Sequence, residues 1–232
     1  MSRPILLALV LMLIRIFGGA EPAHAQTYRL TDIGVPHGYS ITVGFDMNQS
    51  GQVTGSFCVY VPGRSKTICD TDVNRHAFLW DGEKLIDLGT LGGTDGVGLA
   101  VNLKGQVAGL SCVDAACSLT HPFFWDKEQG IVDRGLPAGL SAAGVQMNDH
   151  GQMAIFATNN TGPTVDHAIL SDGQNLIDLN NFGAANSVAY AINNKGQVTG
   201  AFQTAADAEF HAFLWGGSQL LDLQKWQVIG VS

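Results

Sequence analysis

Apolar residues in this chain come in short runs punctuated by Asn, Asp and Gly. The stretch HAFLWDGEKLIDLGTLGG, from His76 to Gly93, shows the pattern: an apolar pentad, an Asp-Gly step, a second apolar run and a glycine cluster. It recurs as HPFFWDKEQGIVDRG from His121, HAILSDGQNLIDLN from His167 and HAFLWGGSQLLDLQ from His211, with histidine spacings of 45, 46 and 44 residues. A second block precedes each copy: MNQSGQVTG from Met47, VNLKGQVAG from Val101, MNDHGQMAI from Met147 and INNKGQVTG from Ile192. Two blocks recurring four times in fixed order define a structural repeat.

Each copy predicts four short strands, a to d. Strand a ends in an apolar-Asn step, and Asn-x-x-Gly then forms a turn in which the Asn side chain caps its own backbone and Gly supplies positive φ. Gln-Val-x-Gly is strand b. His-Ala-Phe-Leu-Trp is strand c, apolar enough to be covered on both faces. Asp81-Gly82, Asp172-Gly173 and Gly216-Gly217 mark the hairpins into strand d. A four-stranded antiparallel meander with a period of about 45 residues is the signature of a β-propeller blade. A β-helix would use shorter coils, and a single sandwich gives no reason for equal spacing. The expected fold is therefore all-β, a β-propeller-like array with repeats over 39–93, 97–139, 141–183 and 187–223 and a tail over 224–232.

The pairing of IN-x-x-GQVxG with HAFLW-x-G-x-x-x-DLGTLGG closely resembles the HAF-type probable extracellular repeat of bacteria. That family is named from the His-Ala-Phe found here at His76-Ala77-Phe78 and His211-Ala212-Phe213. The resemblance spans essentially the whole mature chain and implies an exported bacterial repeat protein with a propeller-like fold. It brings no established activity or catalytic residue with it. The second copy departs from the motif by reading His-Pro-Phe-Phe-Trp, the third has Ser171 in place of Trp, and DLGTLGG is complete only after the first.

An additional strand is expected at the N-terminus, where YRLTDIG, Tyr28 to Gly34, matches strand d of a blade whose other strands do not precede it. Ring closure by such a strand requires the last repeat to stop after strand c, yet the fourth carries its own d strand, Leu220 to Leu223. Two arrangements stay open: a four-blade or incomplete five-blade protein, or a piece of a longer array. Val228-Ile229, read as the start of another strand a, favours the second, and unprotected terminal repeats of that kind promote association.

With 46% hydrophobic and 14% charged residues in 232, the chain can bury a sizeable core and is far from a disordered composition. Its 29 glycines exceed the ordinary share of about 7% and suit many tight turns. A net charge of −8 without any basic run excludes a nucleic-acid partner. Arg3, the apolar Ile5–Ile14 and Ala23-His24-Ala25 read as a signal peptide over 1–25, leaving one repeat domain over 26–232. Ile5–Ile14 is short for a span of about 20 residues and Arg15 interrupts it, although an uncleaved anchor is the alternative. No membrane span is expected in the mature chain, and the localisation expected is secreted, periplasmic or cell-surface. The four cysteines fit export as two local disulfides, Cys58 with Cys69 and Cys112 with Cys117, since neither pair has the CxxC spacing of a metal site.

His76, His121, His167 and His211 precede Asp87, Asp133, Asp178 and Asp222 by 11 or 12 residues. A His-Asp couple is half of a nucleophilic triad, but catalysis needs one constellation. Four copies at blade period point to a repeated structural hydrogen bond. No Ser or Cys recurs beside these histidines, and no G-x-S-x-G elbow or P-loop is present. Trp80, Trp125 and Trp215 are expected to pack between blades rather than to stack on sugars, with Trp226 outside the register. No catalytic residue, metal site or cofactor is expected. The b–c loops differ between copies, and the first, with Arg64, Lys66 and Arg75, is the best candidate contact surface. The function these features point to is a scaffold binding a protein or polysaccharide through those loops. One alternative is a glycan-active hydrolase or lyase drawing a carboxylate pair from Asp46, Asp70, Asp95, Asp114 and Asp207. The other is a remnant of a longer repeat protein.

Overall fold

Four antiparallel meanders follow one another along the chain, each in the order a-b-c-d. The first sheet comprises β1 (Ile41–Met47), β2 (Val53–Cys58), β3 (Arg75–Trp80) and β4 (Leu85–Gly89). The second comprises β5 (Gly96–Val101), β6 (Val107–Cys112), β7 (Thr120–Asp126) and β8 (Gly130–Asp133). The third comprises β9 (Leu140–Met147), β10 (Met153–Asn159), β11 (Asp166–Ser171) and β12 (Leu176–Asp178), closed by a 3-10 turn at Leu179–Phe182. The fourth comprises β13 (Asn186–Ile192), β14 (Val198–Thr204), β15 (Asp207–Trp215), β16 (Leu220–Asp222) and a fifth strand, β17 (Gln227–Ile229). This computed structural model describes residues 29–59, 74–204, 207–225 and 227–229, and Ile33–Ser232 form one compact unit.

Two expectations at the ends are corrected. Residues 29–34 form no strand, and Leu30 is 95% exposed; Tyr28 lies outside the described residues, as does the leader over 1–25. A strand needs a ladder partner for its N–H and C=O groups, and the outer edge of the fourth sheet is already taken. Val228-Ile229 does not open a new strand a. It belongs to β17, which folds back onto β16 with Leu220 opposite Ile229 and Asp222 opposite Gln227.

The core lies between consecutive sheets, as the two-sided apolarity of strand c requires. Ala77, Leu79 and Leu88 of the first sheet pack on Val101, Val107, Phe123 and Trp125 of the second. Ala108, Leu110 and Phe124 meet Leu140, Val145, Met153 and Ile155 in the next layer. Ala154, Ala168, Leu170 and Leu179 meet Val198, Phe202, Phe213, Trp215 and Leu220 in the last. Trp125 and Trp215 are thus buried between sheets, whereas Trp80, at the start of the array, is half-buried; Trp226 lies outside the described residues.

The inner pair of strands is bulged, and the bulge explains a repeated glycine. In the first, second and fourth sheets it falls between Gly44 and Asp46, Gly98 and Ala100, and Ala189 and Ala191. The strand b residue paired just before the bulge is Gly55, Gly109 or Gly200, where a Cβ would sit 1.9, 2.1 or 1.8 Å from the carbonyl oxygen of Val43, Val97 or Val188. In the third sheet the bulge lies between Ala142 and Gly144, and Ile155 occupies the equivalent of those glycines. Gly200→Ala is expected to cost about 2 kcal/mol, because backbone rather than a flexible side chain must move. A denaturant midpoint unchanged from the parent would contradict this reading of the bulge.

Candidate functional site

The a–b turns of all four sheets converge on one open depression of about 410 Å³. Each turn is built from its Asn. Asn48 Oδ1 accepts from the N–H of Ser50 and of Gln52, both at 3.0 Å, and the Gly51 N–H closes on the Asn48 carbonyl. Gly51, Gly105, Gly151 and Gly196 hold φ between 72° and 80°, as the spacing Asn-x-x-Gly predicts.

The other half of the amide does something the turn does not require. Asn48 Nδ2 donates to Gln52 Oε1 and to the Asn102 carbonyl of the next sheet, both at 2.7 Å. Asn102 Nδ2 donates in the same way to Gln106 Oε1 and to the Asn148 carbonyl, and Asn148 Nδ2 to Gln152 Oε1 and the Asn193 carbonyl. The result is an amide ladder that clasps four sheets at one rim. Asp149 adds a cross-link: it accepts from the Leu103 N–H at 2.9 Å and from Asn194 Nδ2 at 2.7 Å, so its carboxyl lies below the usual range, chiefly through the Leu103 bond. Reading the sequence for chemistry missed this ladder, although Gln at the fourth position after each Asn was visible in every copy.

The His-Asp pairs lie at the opposite rim, across each c–d hairpin. His76, His121, His167 and His211 place Nδ1 at 3.0, 2.9, 2.7 and 2.9 Å from Asp87, Asp133, Asp178 and Asp222. Each carboxylate also accepts from a backbone N–H two residues on, of Gly89, Gly135, Asn180 or Gln224. Both halves of every pair are therefore engaged in fixing strand d and the crossover that follows it. The hairpins themselves turn one residue later than the Asp-Gly signal suggested: Asp81 bonds Lys84 across Gly82-Glu83, and Asp172 bonds Asn175 across Gly173-Gln174.

On that same rim the b–c loops are held individually. Cys112 and Cys117 are joined in a disulfide, with Cα atoms 4.9 Å apart. Cys58 is also a disulfide cysteine, while Cys69, Arg64 and Lys66 lie outside the described residues. Asn159 organises the third loop, donating to the Thr161 and Pro163 carbonyls and accepting from the Val165 N–H. Arg75 does not belong to a contact loop. It begins β3 and forms a two-pronged ion pair with Asp95 of the next sheet, both side chains largely buried, beside a parallel bridge between the same residues.

Of the five acids that could furnish a hydrolytic pair, Asp46 accepts from the Val101 N–H, Asp95 holds Arg75, and Asp114 caps the turn at Ser118. Asp70 lies outside the described residues, and Asp207 begins β15. Asp95, Cys112 and Cys117 bring an oxygen and two sulfurs within 4.8 Å of one another, but the sulfurs are bonded together and the carboxylate is engaged by Arg75. Among the described residues no helix is long and apolar enough to cross a membrane.

No protein-family model matches the sequence, and no curated protein matches it. Among solved structures, the β-propeller domain of the Trilobed protease from Pyrococcus furiosus, described as having an open velcro topology, is similar with a TM-score of 0.50 and 12% identity. The match covers 83% of this chain and 56% of that one. The chain has a β-propeller-like fold. Pyrococcus horikoshii acylaminoacyl peptidase also matches, with a TM-score of 0.46 and 14% identity over 75% of this chain and 26% of that one. This β-propeller-like chain thus spans about half the length of the first structure and a quarter of the second.

Proposed function

We propose that this protein is an exported scaffold of the HAF type that binds a protein or polysaccharide partner through the b–c loop rim and catalyses no reaction. The observation that carries the reading is the fate of the repeated polar residues: the four Asn and the four His-Asp pairs are all engaged in bonds that hold strands, turns and sheets. Individuality is left to the b–c loops. Two of these are fixed internally, by the Cys112–Cys117 bond and by Asn159, so they present a shaped surface with little ordering cost on binding. The engagement of Asp46, Asp95 and Asp114 weighs against the hydrolase alternative, which needs two free carboxylates facing one another.

A glycan array and a pull-down against candidate surface proteins, both with the purified protein, test the reading. The expected result is a ligand whose affinity falls about tenfold, or 1.4 kcal/mol, when Cys112 and Cys117 are both replaced by Ser. Gln49→Ala, on the opposite rim, is expected to leave binding unchanged. Failure to find any ligand under conditions that detect weak binding counts against the scaffold role. Equal sensitivity to both changes would move the site away from the b–c loops.

A further inference from the structure

The three junctions between consecutive sheets repeat one interface, but the side chains that finish them differ. At the second junction Arg134 lies over the Phe124 ring, 4.6 Å from its centroid, and its Nη1 donates at 3.1 Å to the Gly173 carbonyl of the third sheet's hairpin. One side chain thus bridges the two sheets. At the third junction Phe182 covers Trp215, with ring centroids 4.4 Å apart. At the first, Leu88 of Asp87-Leu88-Gly89 takes the place of Arg134 in Asp133-Arg134-Gly135; it is shorter and lies in the core. A cleft of about 190 Å³ stands at this first junction, on the rim of the a–b turns and between the hairpins at 81–84 and 126–130.

The cleft is apolar within and basic at its mouth. Leu79 and Ile86 of the first sheet and Trp125 of the second form its inner wall, while the exposed Lys84, Lys104 and Lys127 surround them. These are three of the six lysines in a chain of net charge −8. None of the three ammonium groups forms an ion pair or hydrogen bond among the described residues. Two further donors are unspent there: the Trp125 indole N–H and Gln52 Nε2, since Gln52 uses only its Oε1, on Asn48. Asp81 and Asp126 supply acceptors. Each takes two backbone N–H groups of its own hairpin on Oδ1 and also lines the cleft, whereas Glu83 and Glu128 of the same hairpins do not line it.

We propose that this cleft binds one ring of a carboxylated sugar, a uronate within an acidic polysaccharide. The C–H face of the ring lies on the apolar wall, its carboxylate is held by the lysines, and its hydroxyls donate to Asp81 and Asp126 and accept from Gln52 and Trp125. The mixture of groups selects this class. An acidic peptide or a phosphate brings charge without a set of hydroxyl donors for the two carboxylates, and a neutral sugar makes no use of three ammonium charges. A volume of about 190 Å³ lies below the roughly 300–1,000 Å³ of a pocket for a drug-sized ligand, so it takes one ring and leaves the rest of the polymer outside. The inference is independent of the binding role of the b–c loops, which lie on the other rim.

Calorimetric titration of the purified full chain with oligomers of galacturonic, glucuronic and mannuronic acid tests it. At least one is expected to bind, more weakly as salt rises. Affinity is expected to fall about tenfold when the sugar carboxylates are methyl-esterified, and about tenfold in Lys104→Ala and in Lys127→Ala, because each change removes a charged partner. Lys195→Ala, at the turn position of Lys104 but outside the cleft, is expected to leave binding unchanged, as is replacement of Cys112 and Cys117 by Ser. In heteronuclear NMR spectra the Trp125 indole signal is expected to shift on binding. Circular dichroism checks that the variants fold. The proposal is overturned if no oligouronide binds, if the methyl ester or a polyglutamate of equal charge binds as tightly, or if Lys195→Ala costs as much as Lys104→Ala. Binding lost with the two cysteines but kept in both cleft variants would place the sugar on the b–c loops and overturn it too.

Discussion

Asn102→Ala is expected to destabilise the protein by about 3 kcal/mol, whereas Asn193→Ala costs about 1. The estimate sums a turn cap and two side-chain hydrogen bonds at about 1 kcal/mol each. Asn102 Oδ1 accepts from the N–H of Lys104 and of Gln106, and its Nδ2 serves Gln106 Oε1 and the Asn148 carbonyl. Asn102 is 4% exposed, so water cannot replace what is lost. Asn193 makes the same cap and a like bond to Gln197, but it is exposed, and among the described residues its amide nitrogen reaches no neighbouring sheet, the rung from Asn148 ending on its backbone carbonyl, which alanine keeps. Asn102→Asp separates the two roles. It keeps the acceptor that caps the turn while placing an acceptor against the Asn148 carbonyl, so it should approach alanine in effect if the ladder matters and remain near the parent if the turn alone matters. Urea unfolding followed by two spectroscopic probes gives the comparison. Equal losses at positions 102 and 193 would reduce the ladder to four independent turns.

The strand order was legible because every signal for it is local. Asn-x-x-Gly caps itself, Asp-Gly steps turn a hairpin within a few residues, and the period of His76, His121, His167 and His211 multiplies each clue by four. What the ends of the array do is not local. Val228-Ile229 is apolar whether it crosses to a new sheet or folds back, and only the open edge of β16 decides for folding back. Arg75 reads as a loop cation until Asp95, 20 residues on, is placed beside it. The amide ladder lay between these extremes. A turn needs only the Asn oxygen, so a Gln four residues after every Asn, at positions 52, 106, 152 and 197, was surplus to the turn and marked the amide nitrogen as employed.

His211→Ala is expected to cost about 3 to 5 kcal/mol, the range for removing one partner of a buried ion pair, while His76→Ala costs at most about 1. The four pairs are chemically alike but differ in exposure: His76 and Asp87 are 31% and 49% exposed, whereas His211 and Asp222 are 3% and 2%. Losing the ring at 211 also removes its edge contact with Phe202, at 5.7 Å, and strands a buried carboxylate. Burial alone would raise the Asp222 pKa. The His211 hydrogen bond, then the N–H groups of Gln224 and Lys225 and the charge of His211, pull it down further, so that the folded value lies below the ordinary one. A carboxyl with a depressed folded pKa contributes stability above its unfolded pKa and loses it as pH falls through the folded value. The parent should therefore lose stability on acidification below the ordinary carboxylate range, and Asp222→Asn should flatten that part of the profile more than Asp87→Asn does. Parallel acid profiles for the two variants would mean that the buried pair carries no more of the fold than the exposed ones.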